Sequence, residues 1–241
     1  MSVCGVPLAG GGTQCLATFL ERPNRFVARA QLPDGAVVLA HIADRGRLIE
    51  TLIPGVPLCL VHRPGAQRAT AWQAAAAQRA DGSWASLDTL LPNRLMRLVL
   101  EHQLLPMLPP YDTVRREVQI GASRFDFVLE GGPKQIVVEV KSAGRVHARR
   151  ALVPDAPSVR ATRHVSELMA LMHTGVATAL VVVAQGEADS VAIDDAIDPA
   201  LSTTTRMAAE AGVQCIGVSA RFNTNGLYFL QTIPLHPAVL M

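Results

Sequence analysis

Three charged residues stand where a strand would carry apolar ones. In the stretch Arg124–Lys141, RFDFVLEGGPKQIVVEVK, Asp126 lies between Phe125 and Phe127, and Glu139 and Lys141 alternate with Val138 and Val140. A period of two puts Glu139 and Lys141 on one face of a strand and the two valines on the other. If the two runs pair across the Gly131-Gly132-Pro133 turn, Asp126 approaches that charged face. An Asp, a Glu and a Lys converging in this way can hold a divalent cation and position an attacking water. The plainer reading of the same spacing is a solvated sheet face with a surface Glu–Lys pair, E-x-K being a common tripeptide.

The flanking sequence supplies elements able to position the three residues. Leu91-Pro92-Asn93-Arg94 leads into LMRLVLEHQLLPML, in which Leu95, Leu98, Val99 and Leu104 fall at helical spacing, so a helix starts near Pro92 or Asn93. Val114–Ile120 and Arg124–Glu130 read as a hairpin across Gly121-Ala122-Ser123, with Gln135–Lys141 as a third strand. A long helix covers roughly Ala156–His173, with Val159, Val165, Leu168, Met169 and Met172 inward and Gly175 as its stop. Val176–Ala184 is fully apolar, as a strand buried on both faces is. Pro199–Ala211 is helical, and Val213–Ala220 and Leu227–Thr232 are the last strands. The order α, β, β, β, α, β, α, β predicts a three-layer α/β domain.

Upstream the texture is β. Residues 1–15 read as a loose start; Gly10-Gly11-Gly12-Thr13 lacks the Gly-Lys-Ser/Thr that a phosphate loop needs. From Leu16, Phe26–Leu32, Ala36–His41, Val56–His62, Arg68–Gln78 and Trp84–Asp88 are short runs separated by turns such as Pro33-Asp34-Gly35 and Asp81-Gly82. They predict a small OB-like barrel, an architecture that often binds oligonucleotides. The chain is thus expected to be α/β (α+β overall) with two domains, 1–88 and 89–241. In the first, Arg45 and Arg47 flank Gly46 and can grip phosphates with forked donors, or else one of them pairs with Asp44 in a solvated loop. In the second, Arg145, Arg149 and Arg150 form a basic cluster suited to phosphates. Arg160, Arg163, His164 and Glu167 share one helix face, which either lines a substrate groove or is solvated.

Composition narrows the classes. A chain of 241 residues with net charge +2 is globular, and that charge alone does not indicate a nucleic-acid partner. Cys4, Cys15, Cys59 and Cys215 are scattered, as free thiols in a reducing compartment are. No basic leader precedes an apolar run, and Val176–Ala184 is far too short for a membrane span, so a cytoplasmic protein is expected.

The helix, the Asp-bearing hairpin, the strand ending E-x-K and the following helix together resemble the PD-(D/E)xK phosphodiesterase superfamily. Leu91-Pro92-Asn93-Arg94, Arg115-Arg116-Glu117, Ser123-Arg124-Phe125-Asp126-Phe127, Val138-Glu139-Val140-Lys141, Pro154-Asp155-Ala156, Arg160, Arg163-His164 and Glu167-Leu168 resemble the sugar fermentation stimulation protein A family, as do His41 and Gly46-Arg47. The resemblance runs over roughly residues 16–235. It implies an OB-like N-terminal part, a restriction-endonuclease-like C-terminal part and DNA as partner, single strands included, with a homodimer left open. It further implies Mg²⁺ (or Mn²⁺) held by Asp126, Glu139 and the Val140 carbonyl, with Lys141 orienting the attacking water and Glu101 as a further acidic residue. It also tilts the Arg160/Arg163/His164 face towards a DNA groove. One departure stands out: Ser142-Ala143-Gly144-Arg145 follows E-V-K where the family has an Asn and an aliphatic, Thr-containing stretch. Two functions follow from the resemblance, a metal-dependent DNA nuclease and a DNA-binding regulator of sugar metabolism genes whose nuclease fold is a scaffold. The intact carboxylate set favours the first, since unneutralised carboxylates would repel a phosphate chain.

Overall fold

Small apolar residues alternate with polar ones along the early strands, and a narrow ring results. In a computed structural model of the chain, residues 4–44, 46, 48–49, 51–65 and 68–239 are described. The early strands are β1 (Gly5–Pro7), β2 (Gln14–Asn24), β3 (Val27–Gln31), β4 (Val37–Ile42), β5 (Pro57–His62), β6 (Trp72–Gln78) and β7 (Trp84–Ser86). Antiparallel pairs β2–β3, β3–β4, β2–β5 and β5–β6 make four sides, and a parallel β4–β6 pair closes the fifth. That is the strand order of a five-stranded OB-type barrel, and β7 extends it as a hairpin partner of β6. Its interior is filled by Phe19 and by Ala17, Ala28, Ala30, Ala40, Ala74 and Ala77, with Ile42, Leu58 and Leu60. A ring this tight has room for little else on its inward positions. The loose start expected for residues 1–15 is not observed from Cys4 onward. Leu8 and Ala9 are fully buried in a 3₁₀ turn after β1, and the Ala9 N–H donates to Asp88 Oδ2 at 2.9 Å.

The remaining elements are α1 (Leu91–Glu101), β8 (Thr113–Ile120), β9 (Ser123–Glu130), β10 (Ile136–Ala143), β11 (Arg145–His147), β12 (Arg150–Val153), α2 (Val159–Met172), β13 (Ala177–Ala184), β14 (Ser190–Ile193), α3 (Pro199–Glu210), β15 (Gln214–Asn223) and β16 (Gly226–His236). Their sheet runs β11-β12-β14-β16-β15-β13-β10-β9-β8. At its heart β10, β13 and β15 are parallel, while β8–β9–β10 is an antiparallel meander. Two compact units result. One comprises Gly5–Leu91 with Phe222–Leu227, and the other is built mainly from Pro92–Arg221 and the chain from Tyr228 onward. The short turn between β15 and β16 therefore groups with the barrel unit, whereas the sequence places it in the second domain.

Besides β1, three strands were not visible in the sequence. β11 and β12 occupy the segment read as a basic cluster, and β14 is a four-residue run between acidic residues. The inward stripe of α2 also differs from expectation. Val159 is 88% exposed, because the helix begins there, with the Ser158 side chain accepting from the Ala161 N–H. The stripe that meets Leu180 and Val182 of the sheet is Ala161, Val165 and Leu168, and His164 is buried beside it.

Both helices on this face begin at one carboxylate. Asp198, 4% exposed, caps α3 by accepting from the Leu201 N–H at 2.9 Å, and its other oxygen accepts from the Ser158 N–H at 2.8 Å. Asp198→Ala leaves both donors unmatched and should cost about 2–3 kcal/mol. Asp198→Asn, which keeps one acceptor, should cost about half of that. Urea midpoints measured at unchanged m-value read the effect; equal stabilities for the two variants would show that only one of the caps matters.

Candidate metal centre

Backbone register brings Asp126 and Glu139 together. The β9–β10 ladder pairs Ile136 with Leu129, Val137 with Val128 and Val138 with Phe127, and there it stops. The next cross-strand positions are Glu139 and Asp126. Val140 N–H, which would otherwise seek a strand carbonyl, donates instead to Asp126 Oδ2 at 2.8 Å. On the other edge, β10 pairs in parallel with β13, Glu139 opposite Leu180 and Lys141 opposite Val182. Leu180 and Val182 lie in the core under α2, so the alternation that carries Glu139 and Lys141 directs them to the covered face.

Each carboxylate is held by a different set of neighbours. Asp126 Oδ1 accepts from Asn93 Nδ2 of α1 at 2.6 Å. Glu139 is 2% exposed; its Oε1 accepts from Lys141 Nζ and lies 2.6 Å from His164 Nδ1 on α2. His164 is itself buried, its ring packed against Phe125 with centroids 5.9 Å apart. Glu139 Oε2 is buried and has no hydrogen-bond partner. Burial and the nearby Glu139 charge push the Asp126 carboxyl up to about 6, against the pull of Val140 N–H, Lys141 and Asn93.

This arrangement fits a hard divalent cation. An unpartnered carboxylate oxygen in the interior is costly unless something positive meets it. Among the described residues no group of three His, Cys, Asp or Glu side chains is arranged to hold a metal ion. The carboxylates of Asp126 and Glu139 stand at adjoining cross-strand positions, and Mg²⁺, which keeps several of its waters, accepts so small a set of oxygens.

The other candidates are distributed unevenly. Glu101 lies two helical turns beyond Asn93 on α1 and pairs with Arg97 at 2.6 Å. Arg145 is clasped by Asp155 at 3.0 Å and Asp194 at 2.9 Å, and Arg149 makes a two-pronged pair with Asp189 at 2.8 Å. Arg150 lies partly buried at the start of β12. Arg160 and Arg163 are exposed on α2, Arg163 lying 3.9 Å from Glu167. His164 was expected on the same exposed face and is instead buried against Glu139, because it lies within the Ala161–Val165–Leu168 stripe. Arg45 and Arg47 lie outside the described residues. For Asn93 the signal in the sequence is a polar residue in the first turn of an apolar helix. For His164 the signal was a titratable residue at a core position of its helix.

Residues 20–87 match the SfsA N-terminal OB domain, and residues 90–226 match the sugar fermentation stimulation protein RE domain. The chain belongs to the sugar fermentation stimulation protein family. Its similarity to the family's homologue from Chloroflexus aurantiacus is 39% identity over 231 residues, 95% of this chain and 88% of that protein. To the Moorella thermoacetica homologue it is 44% identical over 202 residues, 82% of this chain and 86% of that one. The solved structure of Pyrococcus furiosus SfsA in complex with Ca²⁺ superposes with a TM-score of 0.81 at 28% identity, covering 96% of this chain and 99% of that one.

Asp126 makes stability depend on pH in a defined direction. Its carboxyl is harder to ionise in the folded chain than in the unfolded one, so its contribution is most favourable below about 3.8, where both states hold the proton. That contribution is lost as pH rises through about 6. A rise from 3.8 to about 6 corresponds to about 3 kcal/mol at neutral pH. Asp126→Asn, with the Asn93 amide turned to present its oxygen, removes the buried charge. In chelator at pH 7.5 it should be the more stable protein by up to about 3 kcal/mol, with the gap closing towards pH 4. Denaturant curves across that range test this, and a gap independent of pH would sink it.

Proposed function

We propose that the chain is a divalent-metal-dependent phosphodiesterase of the PD-(D/E)xK type that cleaves DNA, with Mg²⁺ or Mn²⁺ at Asp126, Glu139 and the Val140 carbonyl. The observation that carries this reading is Glu139 Oε2, a buried carboxylate oxygen without a partner, on a strand position next to a second carboxylate whose proton affinity is raised. Buried polar atoms are mostly satisfied, and a bare carboxylate oxygen beside a second carboxylate is compensated by a cation. The Ca²⁺ complex of the Pyrococcus relative supports the cation.

When bound, the cation neutralises charge on the scissile phosphate and lowers the pKa of a coordinated water. The chain's own residues do the rest. Lys141 Nζ, partly exposed and seated at Glu139 Oε1, is placed to orient the attacking water and to stabilise negative charge developing on the phosphate. Asn93 and Val140 N–H hold Asp126 from two sides, which keeps its lone pairs aimed without reorganisation. DNA as substrate is supported by the OB-type barrel and by Arg160 and Arg163, exposed on the helix that covers Glu139.

Incubation of the purified chain with labelled single- and double-stranded DNA tests the assignment. Cleavage should require Mg²⁺ or Mn²⁺, vanish in chelator, and fall by on the order of 100-fold or more in Glu139→Ala and Lys141→Ala. Absence of cleavage, with DNA binding unchanged in both variants, would leave a binding scaffold instead. A second measurement concerns the arginines. Arg160→Ala and Arg163→Ala should each shallow the salt dependence of DNA binding by about one charge. Arg149→Ala should leave the slope unchanged, because its guanidinium is already committed to Asp189.

A further inference from the structure

Glu139 offers its surroundings two oxygens, and they are treated differently. Oε1 receives Lys141 Nζ and His164 Nδ1, while Oε2 receives nothing. The two neighbours of Oε1 are not equivalent. Lys141 has a side chain 26% exposed on a flexible stem, and a phosphate can draw its ammonium away. His164 has a side chain 3% exposed, sits in the buried stripe of α2, and is braced by Phe125. With Glu139 ionised, the Nδ1–H of His164 donates to Oε1 from a ring that cannot move away. The imidazole is therefore the fixed constraint on how the carboxylate is turned.

We propose that His164 is a positioning residue that restricts Glu139 to one-oxygen ligation through Oε2, and thereby biases the centre towards small cations such as Mg²⁺ and Mn²⁺ over Ca²⁺. This rests on the metal-centre reading given above. The chemistry of the bias is general: Mg²⁺ takes six ligands in a tight octahedron, keeps several waters and accepts carboxylates through single oxygens, whereas Ca²⁺ takes more ligands at longer range and readily uses both oxygens of one carboxylate. Partners that orient a ligand from behind typically change metal affinity 10–100-fold when removed. Without the Nδ1–H, Glu139 can swing until both oxygens face the cation, an arrangement that suits Ca²⁺ better than Mn²⁺.

The test is calorimetric titration of Mn²⁺ and of Ca²⁺ into the metal-free full chain, without DNA, for the wild type, His164→Ala, His164→Asn, Asp126→Ala and Glu139→Ala. In His164→Ala the Mn²⁺ affinity should fall by on the order of 10–100-fold and the Ca²⁺ affinity by less, so that the Mn²⁺/Ca²⁺ ratio drops. His164→Asn, whose amide nitrogen occupies nearly the place of Nδ1, should restore most of the ratio. A merely structural histidine would weaken both cations alike and would not be rescued by Asn. If His164→Ala fails to fold, His164→Leu, which fills the space beside Phe125 without a donor, takes its place in the comparison with Asn. An unchanged ratio in the donor-free variant, or a ratio in His164→Asn no better than in it, overturns the role of His164 alone. A wild type that takes up neither cation, or that binds them no better than Glu139→Ala does, overturns the metal centre itself.

Discussion

A carboxylate on the covered face of a sheet must be compensated, and much of this unit is arranged around that requirement. Glu139 lies in β10, a strand flanked on both edges and roofed by α2. Moving an isolated ionised carboxylate into such a place costs several kcal/mol even after relaxation, so the group either takes up a proton or finds positive and polar partners. Here partners arrive from separate elements: Lys141 from β10 itself and His164 from α2, with Asp126 and Asn93 forming the adjoining half of the cluster. They satisfy one oxygen of Glu139 and stop. Replacing such a cluster by packed apolar groups is often neutral or favourable, so its presence is not explained by stability.

The position of His164 over Glu139 depends on where α2 starts. The helix begins at Val159 because Ser158 caps it, and the Ser158 main chain is held by Asp198, which also caps α3. A start shifted by one residue would rotate the helix by about 100° and carry His164 out of the buried stripe. The site therefore inherits its geometry from a cap placed at the far end of a hydrogen-bond chain, Asp198 to Ser158 to α2 to Glu139. Stability and function share these residues, which is a common reason for finding buried polar groups where apolar ones would pack as well.

Much of this was legible in the sequence, for identifiable reasons. The hairpin and the E-x-K strand show because charged residues interrupt otherwise strict alternation, and β13 shows because a strand buried on both faces reads as an unbroken apolar run. The barrel shows because its turns carry Pro, Asp and Gly at regular spacing. The short ribbon β11–β12 did not show: its arginines look like a solvated cluster until their partners, Asp155, Asp194 and Asp189, are brought near by the fold. Sequence distance hides such pairs, since Arg145 and Asp194 are 49 positions apart. His164 was misread for a related reason. Helical spacing puts it as near Arg160 and Glu167 as it does Leu168 and Ala161, and only the true start of α2 decides which of those faces is covered.

The local backbone around Asp126 completes the account. In the β8–β9 ladder Arg116 pairs with Phe127 and Val118 with Phe125, but the pair between them, Glu117 with Asp126, is missing, and Glu117 has φ of +54°. A non-glycine residue in that conformation within a strand is uncommon and disfavoured, and such outliers persist where the surroundings enforce them. The enforcement has a visible source. β9 joins β10 only from Phe127 onward, so that the Asp126 carboxylate, and not a backbone carbonyl, reaches Val140 N–H; the outer strand β8 must then adjust at the matching position. The same irregularity lets Phe125 and Val128, of opposite parity, join one core cluster, which places Phe125 against the His164 ring. A regular three-stranded meander would satisfy every backbone group at lower strain, but it would leave no opening between the strands for two carboxylates. The kink at Glu117 and the unpartnered oxygen of Glu139 are thus two consequences of one geometric demand, that β9 and β10 part at the point where the charged groups meet.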